Sequence, residues 1–293
     1  MPAKSYRGRF APSPTGPLHF GSLVTALASY LEAKCRNGQW LVRIENLDPL
    51  RESTPAVHQI LKSLQAHGLI ADEKVRFQSD RHQAYFQAID ALRLSGKAYY
   101  CACSRKLLKA HGGHHPDQCR QQTQPPAEAT PRALRFALED AEVRWHDEFL
   151  GPQQQVVKAE IDDPVILRKE GFFAYQLAVV VDDIDQGITD VVRGSDLLEM
   201  TAQQLQVFAA LKTPAPRWLH IPVILNHDGQ KLSKQNHAPA LDDQTPGINL
   251  WQALRMLGQR PPQELQHMGP EQILGWACTH WQRELIPRHS VAV

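Results

Sequence analysis

The chain has 293 residues, 42% of them hydrophobic and 22% charged, a balance that places it among globular proteins long enough for more than one structural unit. Its 32 basic residues face 31 acidic ones, and the net charge of +1 excludes a protein that coats nucleic acid through one broad positive surface. No apolar run approaches the ~20 residues that span a bilayer, and the opening Met-Pro-Ala-Lys-Ser-Tyr has no signal core, so a cytoplasmic location is expected.

Tyr6 to Ala11 reads as a short strand entering a Pro/Gly turn at 12–17. Leu23, Leu27, Tyr30 and Leu31 then recur at helical spacing, and Asn37-Gly38 supplies a stop. Trp40 to Glu45 is apolar enough for a buried strand, and Val57, Ile60, Leu61 and Leu64 mark a second amphipathic helix ending at Gly68. A third helix at about 81–95 precedes a strand at Ala98 to Tyr100. This alternation predicts an α/β fold, a doubly wound, Rossmann-like parallel sheet whose first half occupies residues 1–100.

Periodicity fails between Cys101 and Gly151, where Gly112-Gly113-His114-His115-Pro116 and a Gln/Pro-rich stretch read as an insertion, 101–151. The second half of the α/β domain is expected at 152–238. It holds an apolar run at Ala178 to Val181, a helix at Thr201 to Leu211 and a buried strand at Leu219 to Leu225. Residues 239–293 read as a short helical C-terminal region, helical around Trp251 to Leu257 and Glu271 to Trp281.

Two segments carry chemistry. Pro12-Ser13-Pro14-Thr15-Gly16-Pro17-Leu18-His19-Phe20-Gly21-Ser22 links the first strand to the first helix, so backbone N–H groups and the positive helix end at Gly21 and Ser22 suit a phosphate. His19 just precedes that helix start, where its imidazole can donate to a phosphate, and Ser22 is a good capping residue. Lys231-Leu232-Ser233-Lys234-Gln235 follows the turn Asn226-His227-Asp228-Gly229, which sets compact cationic charges on an exposed loop where they can meet a departing pyrophosphate. Either segment alone also fits a surface histidine or a solvated lysine loop.

Together the segments resemble the HIGH and KMSKS signatures of class I aminoacyl-tRNA synthetases, with Ser22 where the first signature ends in His. Pro-Ser-Pro-Thr-Gly, Arg9-Phe10-Ala11-Pro12-Ser13, Arg43-Ile44-Glu45, Phe173-Ala174-Tyr175-Gln176-Leu177-Ala178 and Val192-Arg193-Gly194-Ser195-Asp196 are similar to the glutamyl members of that family. The resemblance implies a glutamate pocket in the loop Arg9, Phe10, Ala11, Pro12 and Ser13, with Glu45 on the ammonium, Arg9 and Arg193 on the carboxylates, and hydroxyl contacts from Ser13 and Tyr175. It further implies ATP at His19, Gly21, Ser22 and Lys234, with His19, Lys231 and Lys234 as the catalytic set and Mg²⁺ on the phosphates. Asn46 and Leu47 depart from the family, which often has another acid after the Glu. On the residues alone, Arg43 and Glu45 also fit a strand-edge ion pair, and Tyr175 a packed aromatic.

Three of the five cysteines, Cys101, Cys103 and Cys119, fall in the insertion beside His115 and offer a Cys₃His set suited to one structural, tetrahedral zinc. In the resembling family the third position is typically a tyrosine; His111 and His114 compete with His115 for it. Cys35 and Cys278 read as ordinary buried thiols. Arg105, Lys106, Lys109 and Arg120, and Arg283 with Arg288, are the local basic spots that could touch RNA, although each spot alone fits a solvated face.

Residues 236–293 are too few for the large anticodon-reading module of glutamyl-tRNA synthetases. The expected protein is therefore a truncated, monomeric relative without an anticodon-binding domain. It would activate L-glutamate with ATP without tRNA and pass it to queuosine in the anticodon loop of tRNA(Asp). The competing readings are a minimal glutamyl-tRNA synthetase charging a tRNA 3′ end, a non-catalytic tRNA-binding paralogue, and a small-molecule nucleotidylyltransferase.

Overall fold

The structure, a computed structural model, describes residues 5–113, 115, 117–124, 131–157, 161–226, 229, 232 and 238–292. The chain opens with β1 (Arg7–Phe10), α1 (Phe20–Lys34), β2 (Gln39–Ile44), α2 (Thr54–Ala66), β3 (Arg76–Phe77) and α3 (His82–Leu94). Strands β1, β2 and β3 are parallel, with Arg9 opposite Leu41 and Arg43 opposite Arg76. Asn37 ends the first helical unit with φ 52°, the left-handed conformation that Asn tolerates better than most residues. The stop predicted there is present.

A second group comprises β4 (Ala98–Cys101), α4 (Arg105–Ala110), β5 (Ala133–Phe136), β6 (Glu142–Asp147), β7 (Gly151–Val156) and β8 (Val165–Leu167). The remainder is α5 (Tyr175–Asp185), β9 (Asp190–Gly194), α6 (Thr201–Ala210), β10 (Arg217–Ile221), β11 (Ile224–Leu225), α7 (Pro246–Met256), α8 (Pro270–His280) and β12 (Val291–Ala292). Strands β9, β10 and β6 are parallel, and β7 folds back antiparallel on β6. β1 lies beside β9, where the Thr189 N–H donates to the Arg7 carbonyl at 2.9 Å. The chain is thus an α/β unit around a parallel sheet, as expected.

Segment 101–151 is more regular than its sequence suggested. β4, β5 and β8 form an antiparallel sheet, and β6 joins the edge of the main sheet through Asp147 opposite Trp218. β6 alternates, with Val143 and Trp145 turned inward, but the run is only two apolar residues long and ends on the buried Asp147, while Gln-rich β7 has polar residues on both faces and no apolar period. The strand expected at Leu219 to Leu225 is split by Pro222 into β10 and β11.

Helix α1 is apolar nearly all round. Leu23, Leu27 and Leu31 are 0% exposed, each contributing roughly 1.5–3 kcal/mol by burial, because α7 and α8 cover the face turned away from the sheet. The C-terminal segment locks on through Glu32, fully buried, which accepts from Trp281 Nε1 at 2.8 Å and Arg283 Nη2 at 2.5 Å. Gly258 allows the turn after α7: its φ is +72°, and a Cβ there would lie 1.9 Å from the Leu285 carbonyl oxygen.

Two sequence expectations are corrected here. Arg283 is committed to Glu32 and Glu148, and Arg120 to Asp163 at 2.6 Å, so neither is a spare cation for RNA. Cys35 and Cys278 are half-buried rather than buried.

Candidate active site

The turn after β1 delivers His19 to the start of α1. His19 is extended, φ −114° and ψ 171°, and its Nδ1 accepts the Ser22 N–H at 3.2 Å. The cap is therefore His19 rather than Ser22, and the Ser22 N–H expected to be free is used by the imidazole. A Cβ on Gly21 would sit 3.3 Å from that ring and 3.5 Å from the Leu232 carbonyl oxygen, so glycine keeps this approach open.

Above this helix start lies a cavity of about 530 Å³ lined by Phe10, Pro12, Ser13, His19, Gly21 and Leu232 among others. Ala11 and Ser22 also border it. Lys231 and Lys234 lie outside the described residues. The residues that flank them are tethered to the cavity: Leu232 is in its wall, and Ala240 bridges His19 on a strand-like pair continued by the Leu241 N–H to the Leu18 carbonyl at 2.8 Å.

A second, smaller cavity of about 130 Å³ adjoins the first, sharing Ser13 and Thr15 with it. Glu45, Gln78, Arg168 and Tyr175 are among its lining residues. Glu45 ends the run begun by β2, with its N–H tied to the Pro12 carbonyl at 3.1 Å. Its carboxylate is 3.5 Å from Arg43 Nη2, while Arg43 Nη1 is 2.8 Å from Asp183. Arg43 is thus held mainly by Asp183, and burial raises the Glu45 carboxyl to about 7 against the opposing charges of Arg43 and Arg9. Asp183, from α5, also holds Arg9 through Nε and Nη2 at 3.1 to 3.3 Å.

Arg193, on β9, is 4% exposed and has no carboxylate within ion-pair distance among the described residues. Its Nε donates to His220 Nε2 at 2.9 Å, Nη1 to Gln204 Oε1 at 2.8 Å and more weakly to the Tyr175 hydroxyl at 3.4 Å, and Nη2 to Thr201 Oγ1 and the Leu197 carbonyl at 2.9 and 3.1 Å. Each of these acceptors is neutral or becomes so with His220 unprotonated. The guanidinium also lies over the Trp218 ring at 4.5 Å. Asp183, Asp182, His220 and Asp147 are members of this neighbourhood that sequence reasoning missed. The only signal was the pair of acids that directly follows the apolar run Ala178 to Val181 on a buried helix.

In the segment after β4, the side chains of Cys101, Cys103 and His115 bring their ligand atoms within 4.8 Å of one another. Cys119, the fourth ligand expected, lies outside that group of three, although its Sγ is 3.4 Å from Cys103 Sγ; two thiolates on one zinc, each at ~2.3 Å, stand roughly 3.8 Å apart. His115 Nδ1 is 2.6 Å from Asp162, which fixes the proton there, and Nε2 is buried with no partner among the described residues. His114 lies outside the described residues, and His111 is exposed beyond α4.

A family model described as the catalytic domain of class I tRNA synthetases (E and Q) matches residues 5–269. This chain belongs to that family. It is a ligase-type enzyme of the class I synthetases, with relatives over nearly its whole length. A Thiobacillus denitrificans protein named glutamyl-Q tRNA(Asp) synthetase is 48% identical over 290 residues, covering 97% of this chain and 96% of that protein. A Vibrio parahaemolyticus protein of the same name is 45% identical over 282 residues, covering 96% and 94%. The crystal structure of a glutamate tRNA ligase from Elizabethkingia meningosepticum in complex with its amino acid superposes with a TM-score of 0.82 at 23% identity. It covers 99% of this chain and 67% of that one, and shows that the class I synthetase fold is shared.

Proposed function

We propose that this synthetase activates L-glutamate with ATP in the absence of tRNA and transfers the glutamyl group to queuosine in the anticodon loop of tRNA(Asp), in the cytoplasm. The observation that carries the glutamate reading is Arg193, a buried guanidinium with no acidic partner among the described residues, hydrogen-bonded to Tyr175, which lines the same small cavity as Glu45. A buried cation lacking an anion favours a substrate that brings one, and glutamine would leave the charge unmatched. The acceptor rests on the names of relatives that align over nearly the full chain.

In this reading the Glu45 carboxylate takes the ammonium, Arg193 with Tyr175 attracts one carboxylate, and Arg9 with Ser13 steers the other toward the larger cavity. Of the Arg193 donors, Nη1 to Tyr175 is the longest bond and the one a substrate carboxylate displaces most easily. The loop Phe10, Ala11 and Pro12 lines the larger cavity, and Ser13, which follows it, borders both. ATP enters as its magnesium salt over Gly21 and Ser22, with His19 on a phosphate. A glutamate carboxylate oxygen bonds to the α-phosphorus while the α–β phosphoanhydride breaks. Lys231 and Lys234 neutralise the departing pyrophosphate, which needs no enzyme nucleophile. A queuosine hydroxyl then attacks the acyl carbon, and AMP leaves with the bonding pair.

Zinc fits the chemistry of Cys101, Cys103 and His115, because the unpartnered His115 Nε2 and two soft sulfurs converge there, and Cys119, whose Sγ approaches that of Cys103, would move in as the fourth ligand. A metal there would hold the loops of the segment together and leave no open position for catalysis.

Glutamate-dependent ATP–pyrophosphate exchange without tRNA tests the first step, followed by transfer to tRNA(Asp) with and without queuosine and to tRNA(Glu). Exchange plus transfer only to queuosine-containing tRNA(Asp) is expected. Charging of tRNA(Glu) instead would establish the minimal-synthetase reading, and no exchange the binding-paralogue reading.

A further inference from the structure

Two arginines of the proposed glutamate site are held in different ways. Arg9 is paired directly with the Asp183 carboxylate, whereas Arg193 reaches a carboxylate only through an imidazole. Asp147 ends β6, fully buried, and its Oδ1 accepts the Phe149 and Leu150 N–H groups at 3.0 and 2.8 Å. Its Oδ2 is 2.6 Å from His220 Nδ1, and the opposite nitrogen, His220 Nε2, faces Arg193 Nε at 2.9 Å. His220 is likewise 0% exposed.

The hydrogen-bond roles allow one protonation state. Arginine cannot give up its proton and can only donate, so Nε2 must present its lone pair. Nδ1 must then carry the proton it shares with Asp147, and the ring is neutral. Burial lowers the His220 pKa, and the neighbouring Arg193 charge adds to this against the pull of Asp147, in keeping with that state.

We infer that Asp147 and His220 are positioning residues for Arg193, and that the neutral imidazole between carboxylate and guanidinium fixes the arginine while leaving its charge to the substrate. The inference rests on the glutamate reading above and deepens it. A carboxylate in the place of the imidazole would also accept from Nε, but it would supply the anion that the substrate otherwise supplies. The other acceptors of Arg193 follow the same rule, since Gln204, Thr201, Tyr175 and the Leu197 carbonyl are all uncharged. Trp218, two residues before His220 on β10, stacks on that ring at 6.1 Å and underlies the guanidinium, which limits both to one orientation.

The test compares the full-length enzyme with the double variant His220→Glu/Asp147→Asn and with His220→Gln and Asp147→Asn alone in glutamate-dependent ATP–pyrophosphate exchange, with thermal melts to establish folding. His220→Glu, made together with Asp147→Asn so that the introduced carboxylate does not face a second one, is expected to raise the glutamate KM by about 100-fold, because that carboxylate competes with the substrate for a charge-assisted hydrogen bond of that worth, while the ATP KM stays within about threefold. His220→Gln keeps a neutral acceptor for Arg193 and is expected to retain most of the glutamate affinity that the double variant loses. Asp147→Asn, nearly isosteric, removes the charge that fixes the tautomer and is expected to raise the glutamate KM about tenfold. A folded double variant with an unchanged glutamate KM overturns the inference. If that variant does not fold, an unchanged glutamate KM in Asp147→Asn overturns it equally. A parallel rise in both KM values would mark a merely structural role and also overturn it. Absence of glutamate-dependent exchange in the unaltered enzyme would instead remove the glutamate reading, and the relay's purpose with it.

Discussion

Arg9 and Asp183 meet in a bidentate ion pair whose side chains are 4% and 1% exposed. The same carboxylate also receives Arg43 Nη1 at 2.8 Å, so one acid from α5 fixes two arginines that arrive on separate strands. Asp183→Asn leaves two buried guanidinium groups short of an anion. Loss of one partner from such a cluster costs about 3–5 kcal/mol. Urea denaturation of the variant is expected to show a loss of that order, and a loss below about 1 kcal/mol would mean that Asp183 is not the anchor of the pair.

Glu45 supplies a pH dependence. Its carboxyl is raised from 4.5 to about 7, first by burial, and the ammonium of a bound glutamate requires it ionised. The glutamate KM is therefore expected to rise as pH falls below about 7, with the ATP KM nearly flat. The stability effect has the opposite sense. A folded pKa above the unfolded value makes the group's contribution complete below about 4.5 and lost as pH rises through about 7. At pH 8 Glu45→Gln is thus expected to stabilise the ligand-free protein by something on the order of 2 kcal/mol while abolishing saturable glutamate binding. Calorimetric melts at pH 5 and 8 measure it, and equal effects at the two values would contradict the raised pKa.

The sheet was legible because its strands and helices carry strong periods: Leu23, Leu27 and Leu31 on α1, and Trp40 to Glu45 on β2. Of the residues expected around glutamate, Ser13, Glu45 and Tyr175 border one cavity, Phe10, Ala11 and Pro12 border the larger one beside it, and Arg9 and Arg193 line neither. What the sequence could not disclose is how the arginines are held. Asp183 lies 174 positions from Arg9, and Asp147 lies 73 from His220. Such pairs are made by strand order, and no local spacing encodes them. β7 stayed hidden because a strand at a sheet edge, with both faces partly wet, needs no apolar alternation, and β6 because its alternation is confined to Val143 and Trp145. The His19 cap was missed because histidine is not among the preferred capping residues.

Lys234 carries the expectation of charge neutralisation on pyrophosphate. Its loop leaves Leu232 in the cavity wall and returns at Ala240 beside His19, so both ends are set at the nucleotide site. Lys234→Ala is expected to lower kcat of the exchange reaction by about 100- to 1,000-fold, the usual effect of removing one electrostatic stabiliser, with the glutamate KM changed less than about threefold. A loss confined to the glutamate KM would assign the lysine to the amino acid instead.

The cysteine cluster makes a separate claim that metal analysis decides. Cys101 closes β4, and its thiol and that of Cys103 lie close to a buried His115 nitrogen whose ring is already oriented by Asp162. Without a metal, that nitrogen would be an unsatisfied polar atom costing about 1–3 kcal/mol; a zinc ion removes the cost and cross-links the loops around β4, β5 and β8. Purified enzyme is expected to hold one zinc per chain, and Cys101→Ser to lose it. Because the site lies in a 33.0 kDa chain with cores of its own elsewhere, the loss should lower Tm by about 5–10 °C rather than prevent folding. Exchange per folded molecule at low temperature should fall by less than about threefold, since a four-ligand site has no position open to substrate. Substoichiometric metal in the unaltered enzyme, or full retention of zinc by Cys101→Ser, would sink the assignment. A zinc-dependent loss of exchange in protein that remains folded would move the metal from scaffold to active site.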